Sequence, residues 1–144
     1  MARILCLSYG KDSLACLEAC KLLGYPVDRV IHAEVWATDT IPAELPPMIE
    51  FKAKADRIIK ERYGLTVEHI TAESDLSILS YERMFYTVPK NRKDPRYEGK
   101  PTGFPMLRKP WCNSKLKVNI LTKLAFLIAP LHKELTQILC NISV

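Results

Sequence analysis

The sequence predicts an α/β protein built on an open parallel sheet, and three observations carry that prediction. Short apolar or β-branched runs alternate with stretches of helical periodicity as far as Ile70. The connections between those runs are long enough for crossover helices, which parallel strands require and hairpins do not. A small-residue turn, Ser8-Tyr9-Gly10-Lys11-Asp12-Ser13, joins the first apolar run directly to the first helical one. In open parallel sheets ligands bind beyond the carboxyl ends of the strands, which places this turn and Thr38 to Thr40 on one rim.

Arg3 to Leu7 reads as a buried strand, too short and apolar for anything else beside a glycine turn. Ser13 to Leu23 reads as a helix that Gly24 and Pro26 end. Val30 to Ala37 is a second central strand, and His32 within it is expected to be a satisfied core histidine rather than a catalytic one. Pro42, Pro46 and Pro47 then impose an extended loop. From Met48 to Tyr63 the apolar positions Met48, Phe51, Ala55, Ile58 and Ile59 define one helical face. Lys52, Lys54, Arg57, Lys60 and Glu61 are expected mostly off that face and in water. Gly64 closes the helix, and Leu65 to Ile70 makes the third strand.

Beyond Ile70 the periodicity weakens. Asp75 to Tyr86 has roughly helical spacing through Leu76, Leu79, Arg83 and Tyr86. Thr87 to Pro110, with five prolines, two glycines and seven basic residues, reads as a long loop. Loops of that length in a compact domain are usually functional or disordered. Trp111-Cys112 follows between basic residues, in its plainest reading a buried anchor that pins the loop to the core.

A chain of 144 residues, 48% hydrophobic and 26% charged, suits one globular domain with a real core. No run approaches the roughly 20 apolar residues of a membrane span, and the N-terminal residues do not make a secretory signal. Cys6, Cys16, Cys20, Cys112 and Cys140 form neither a CxxC pair nor a zinc spacing. Reduced thiols, a cytoplasmic protein and no protein-held metal are therefore expected. The net charge of +5 is unevenly spread: residues 83–117 hold ten Lys or Arg against Asp94 and Glu98, a local +8, which leaves −3 elsewhere. So local an excess suggests a place for anions, with nucleic acid as a further partner and a solvated loop as the plain alternative.

A strand that turns through small residues into a helix makes an anion site, because free N–H groups converge there and the helix dipole adds positive charge. Gly10 would let the backbone approach a phosphate and could take a positive φ. Ser8 and Ser13 offer hydroxyl donors, Lys11 a full charge, and Asp12 or Ser13 stands where a helix cap is expected. A Walker A loop needs Ser or Thr directly after Gly-Lys, and the dinucleotide fingerprint needs three glycines, so neither fits.

The turn resembles instead the PP-loop, SxGxDS, of the adenine nucleotide α-hydrolase-like superfamily, with Tyr9 where many members carry a glycine. The opening SYGKDS, the strand-end TDT and the late WCNSKLK occur in the order of the phosphoadenosine phosphosulfate (PAPS) reductase family. The resemblance covers about residues 1–120 and is nearest to bacterial and phage-type members. It implies a three-layer α/β/α, Rossmann-like fold, with a PP-loop domain over 1–117 and a divergent, helical tail over 118–144. It implies that Ser8, Tyr9, Gly10, Lys11, Asp12 and Ser13 hold the phosphate end of an adenine nucleotide. Ala37, Thr38, Asp39 and Thr40 would lie beside the adenosine. Trp111 and Cys112 would complete the site, with Lys115 and Lys117 bringing cations to the anionic end. Lys11, Asp12, Lys115 and Lys117 are then the catalytic candidates.

The departures shape the chemistry. Iron–sulfur members carry adjacent cysteines where Cys112 stands alone after Trp111, so no cluster is expected. Reductases attack sulfur with a cysteine in a Glu-Cys-Gly context, and Leu139-Cys140-Asn141 does not supply it. The tail, interrupted by Pro130, departs from the family pattern and reads as that of a truncated member. Three readings follow. A thiolate could attack a phosphosulfate, which requires a low-pKa cysteine and an outside reductant. ATP could instead be attacked at its α-phosphorus, as in adenylyl transfer of the ATP-pyrophosphatase type, with Asp12 or Asp39 helping to hold Mg²⁺. A non-catalytic nucleotide- or nucleic-acid-binding module is the third. A homo-oligomer is compatible with all of them, and the second substrate stays open.

Overall fold

A computed structural model describes residues 3–90, 95–105, 110–128 and 137–139. Strand β1 (Arg3–Cys6) leads into helix α1 (Lys11–Leu22), strand β2 (Arg29–Glu34), helix α2 (Pro46–Tyr63) and strand β3 (Val67–Thr71). A small hairpin follows, β4 (Glu73–Ser74) with β5 (Ser77–Ile78), then helix α3 (Tyr81–Tyr86) and a single 3₁₀ turn at Pro95–Tyr97. A long helical segment runs from Trp111: α4 (Trp111–Asn113), a π-helical stretch (Ser114–Val118) and α5 (Asn119–Ile128). Strand β6 (Gln137–Leu139) is the last described element.

The main sheet has the order β3-β2-β1-β6, and every described pairing in it is parallel. The chain is thus an α/β protein with an open parallel sheet, and β1 lies inside it. Stepping from β1 to β2 to β3 moves the sheet one way, whereas β6 returns to the other side of β1.

Side-chain alternation sorts the two faces. Leu5, Leu7, Val30 and Val67 share one buried cluster with Leu17 and Cys20 of α1 and Ala55 and Ile59 of α2. Ile4, Ile31 and Ala33 have the opposite parity and are buried too. The π-helical stretch lies against β2, with Leu116 only 1% exposed.

Helix ends follow from local chemistry. Gly24 (φ +70°) closes α1: its N–H reaches Lys21 O while Tyr25 N–H reaches Cys20 O, the pairing of a Schellman turn. Gly64, also at φ +70°, closes α2. That helix begins at Pro46, two residues before the expected Met48, because prolines fit a first turn whose N–H groups have no internal acceptor.

Several expectations need correction. The face of α2 toward the sheet is Lys52, Ala55 and Ile59, whereas Phe51 and Ile58 are 43% and 47% exposed. Lys52, expected in water, is 5% exposed. The helix expected from Asp75 begins only at Tyr81, because Asp75 and Leu76 both take positive φ (53° and 62°) and turn β4 into β5. Arg83 clamps that hairpin, donating to Ser74 O at 2.9 Å, to Ser77 Oγ, and to Asp75 Oδ2 at 3.1 Å. Leu76, which supplied the false periodicity, is fully exposed. The tail expected to be helical is so over Asn119–Ile128, but Gln137–Leu139 pairs with β1 as a strand. Arg92, Lys93, Asp94, Arg108, Lys109, Pro130 and Cys140 lie outside the described residues.

Candidate functional site

The turn after β1 is braced from within. Ser13 is 3% exposed; its hydroxyl donates to Gly10 O at 3.0 Å and accepts from Ser8 N at 3.3 Å. Ser8 Oγ lies 3.1 Å from Ser13 Oγ and 3.4 Å from Gly10 N. Ser13 therefore holds the loop's shape instead of facing outward. Gly10 is the N-cap of α1, and no side chain caps the helix, so neither Asp12 nor Ser13 plays the expected capping part. The first backbone bond of the helix runs from Leu14 N to Gly10 O at 3.1 Å. The N–H groups of Lys11, Asp12 and Ser13 thus occupy a first turn that offers no acceptor of its own. Gly10, Lys11 and Asp12 are exposed at this end.

The positive φ that Gly10 could have taken occurs one residue earlier. Gly10 has φ −75° and ψ 159°, while Tyr9 takes φ 58°. Tyr9 is 3% exposed, and its side chain runs under the loop into a polar cluster between α2 and the sheet. Its hydroxyl donates to Asp56 Oδ1 and lies 3.1 Å from His69 Nε2. Its ring stands edge-on to His32, centroids 4.8 Å apart. Burial, then the Asp56 hydrogen bond and the nearby carboxylates, push the phenol far above its ordinary pKa.

Around Tyr9 the polar groups are paired. Lys52 Nζ reaches His32 Nε2 at 2.7 Å, Glu44 Oε1 at 2.8 Å and Glu34 Oε1 at 3.3 Å, and sits 5.5 Å from the Tyr9 ring centroid. His32 Nδ1 lies 2.7 Å from Leu7 O, so Nδ1–H donates there and Nε2 accepts from Lys52. Burial holds His32 below the usual histidine range, outweighing the Leu7 carbonyl, and the Lys52 charge adds to it. His69 stands between two carboxylates, Glu34 Oε1 at 2.7 Å from Nδ1 and Asp56 Oδ2 at 3.0 Å from Nε2. Burial would raise the pKa of Glu34, but the His69 hydrogen bond and the Lys52 charge hold it below the ordinary carboxylate range. Glu44 Oε2 is buried without a hydrogen-bond partner.

Sequence reasoning missed Glu34, Glu44, Lys52, Asp56 and His69. The available signal was parity: His32 and Glu34 take the inward positions of an otherwise apolar strand, and Lys52 and Asp56 are four apart on the helix facing it. The expectation that His32 is a satisfied core histidine agrees with its burial and its two partners.

The other expected site residues lie as follows. Thr38 Oγ1 accepts from Thr40 N at 3.3 Å and Ile41 N at 3.0 Å, tightening the turn after β2, and Ala37 O accepts from Glu82 N. Asp39 is exposed. Trp111 donates from Nε1 to Gly103 O at 3.1 Å and packs on Tyr81, centroids 4.8 Å apart. Burial, and next the neighbouring Cys112, push the Tyr81 phenol up to about 12. Trp111 thus anchors the loop to α3. Lys115 lines a groove of about 690 Å³ with Asn119 and Lys123 on one wall and Ile70 to Ser74 on the other. The groove is at the carboxyl end of β3, on the same rim as Ser8 to Ser13 but two strands away from β1. Lys117 is exposed.

Cys16, Cys20 and Cys112 are free thiols. Burial, with Cys16 beside it, pushes the Cys20 thiol up. Among the described residues no group of three or more His, Cys, Asp or Glu is arranged to hold a metal ion, and no helix is long and apolar enough to cross a membrane.

Fold and site together define an α/β protein whose inner strand β1 opens into an uncapped helix N-terminus, over a buried Tyr–His–Lys–carboxylate cluster. Compared with known proteins, the chain matches no family model, no curated protein and no solved structure.

Proposed function

We propose that the chain binds the phosphate end of an adenine nucleotide over Ser8 to Ser13 and acts on its phosphosulfate or phosphoanhydride group, in a three-layer, Rossmann-like fold of the PAPS reductase kind. The observation that carries this reading is Gly10. Its backbone angles suit any residue, and a Cβ there would meet only Ser8 Oγ, at 3.4 Å. Neither conformation nor packing therefore asks for glycine. The glycine adjoins the unpaired N–H groups of the first turn, where a phosphate oxygen accepts most favourably and a bare backbone allows the closest approach. Lys11, exposed at the same end, adds charge, and the order SYGKDS, TDT, WCNSKLK supports the same reading.

The state of Cys20 favours the phosphoanhydride branch over reductive attack by that thiol. Cys20 is buried with its thiol pushed up, so it is no poised thiolate. Titration calorimetry with ATP and with PAPS tests the site in wild type and Gly10→Val. The variant folds with an unchanged circular dichroism spectrum and loses both nucleotides. Unchanged affinity in the folded variant removes the loop from the site.

A further inference from the structure

We infer that Tyr9 is a positioning residue: its side chain, anchored between Asp56 and His69, holds the left-handed turn that aims the Lys11–Ser13 N–H groups at an anion. The inference rests on the nucleotide reading for its ligand, but its geometry stands on this chain alone.

An L-residue at φ 58° has its Cβ crowded by the following carbonyl, and glycine is the residue that takes this conformation freely. A bulky aromatic there is a conformational outlier, stable only where its surroundings over-determine it. Here they do. The Tyr9 ring is almost wholly buried, edge-on to His32 and beneath Lys52, and the hydroxyl ends on Asp56 with His69 Nε2 beside it. Those partners come from β2, β3 and α2, three elements whose places are set by the sheet and its crossovers. The backbone between Ser8 and Gly10 therefore cannot relax without pulling the phenol out of its cluster. Ser13 braces the far side of the same turn through Gly10 O. The loop is held at both ends, and the more costly end is held by a side chain pointing away from the ligand.

The test compares Tyr9→Ala with Tyr9→Gly. Both delete the anchor and the same core volume; they differ in that glycine accepts the left-handed turn and alanine resists it. If Tyr9 only fills the core, the two variants lose stability and bind ATP alike. If it positions the loop, Tyr9→Ala weakens ATP by about tenfold relative to Tyr9→Gly, the scale of the left-handed penalty. Equal ATP affinities overturn the inference. The amide signals of Gly10 to Ser13 in the ligand-free protein give a second readout that needs no nucleotide. They stay near wild type in Tyr9→Gly and move in Tyr9→Ala. Should wild type bind neither ATP nor PAPS, the nucleotide reading falls, and these amides alone decide whether Tyr9 sets the loop. Should neither small variant fold, Tyr9→Phe keeps the ring and drops only the hydroxyl. Displaced loop amides in that folded variant support the anchor, and unmoved ones overturn it.

Discussion

Lys52→Met tests whether the buried cluster is a paired network or a set of accidental contacts. Lys52 is 5% exposed and is the one lysine that meets His32, Glu34 and Glu44 among the described residues. Methionine keeps most of the stem but leaves two carboxylates facing each other without a cation. Removing one partner of a buried ion pair costs about 3–5 kcal/mol. The side chains of Glu34 and Glu44 keep 20% and 25% of their surface in water. That partial exposure lowers the expected cost to about 2–4 kcal/mol. For a chain of this length the loss lowers Tm by about 5–15 °C. Urea unfolding followed by circular dichroism measures it, as a lower midpoint with an unchanged slope. Lys54→Met, on the exposed side of the same helix, is the control and stays within about 0.5 kcal/mol. If Lys52→Met falls within that margin too, the cluster contributes nothing as a network and the reasoning fails. Replacing Lys52, Glu34 and Glu44 together by Met, Gln and Gln should recover most of the loss, because no unpaired charge then remains.

Acid should weaken the fold through His32, whose folded pKa is depressed by burial and by Lys52 against the pull of Leu7 O. The unfolded chain accepts a proton below about pH 6.5 that the folded chain refuses. Stability is therefore full above that pH and is lost as pH falls toward the folded value. Urea midpoints at about pH 8 and pH 5.5 read the slope, and His32→Asn, which keeps a donor near Leu7 O, should flatten it; equal slopes would refute the assignment. If a bound nucleotide reaches from the turn after β1 to the groove at β3, Lys115→Ala should weaken ATP by about ten- to a hundredfold while leaving adenosine unchanged, the scale of one charge-assisted contact. Lys60→Ala, exposed on α2, should change neither. Calorimetry showing equal small effects from both would end the idea of cations closing on the loop from two sides.

The sequence by itself determined the elements whose signals are local. Glycine at a helix end, prolines in a first turn, and apolar runs too short for helices are read within a few residues. So β1, α1, β2, α2 and β3 stand close to where those signals put them, as does the turn at Ser8 to Ser13. Where local signals misled, the deciding partner was distant. Leu76 looked like part of a helical face because apolarity was counted without knowing that Arg83 would clamp a hairpin around it. Lys52 looked solvated because a lysine on a helix usually is; only His32 and Glu34 of the sheet beneath α2, with Glu44 of the loop before it, make its burial affordable. Tyr9 looked like a substitution for glycine in a phosphate loop. Its positive φ depends on Asp56, forty-seven residues away, and His69, sixty away. Burial of charge and strain in backbone are settled by what surrounds them in space, and no window of sequence contains those surroundings.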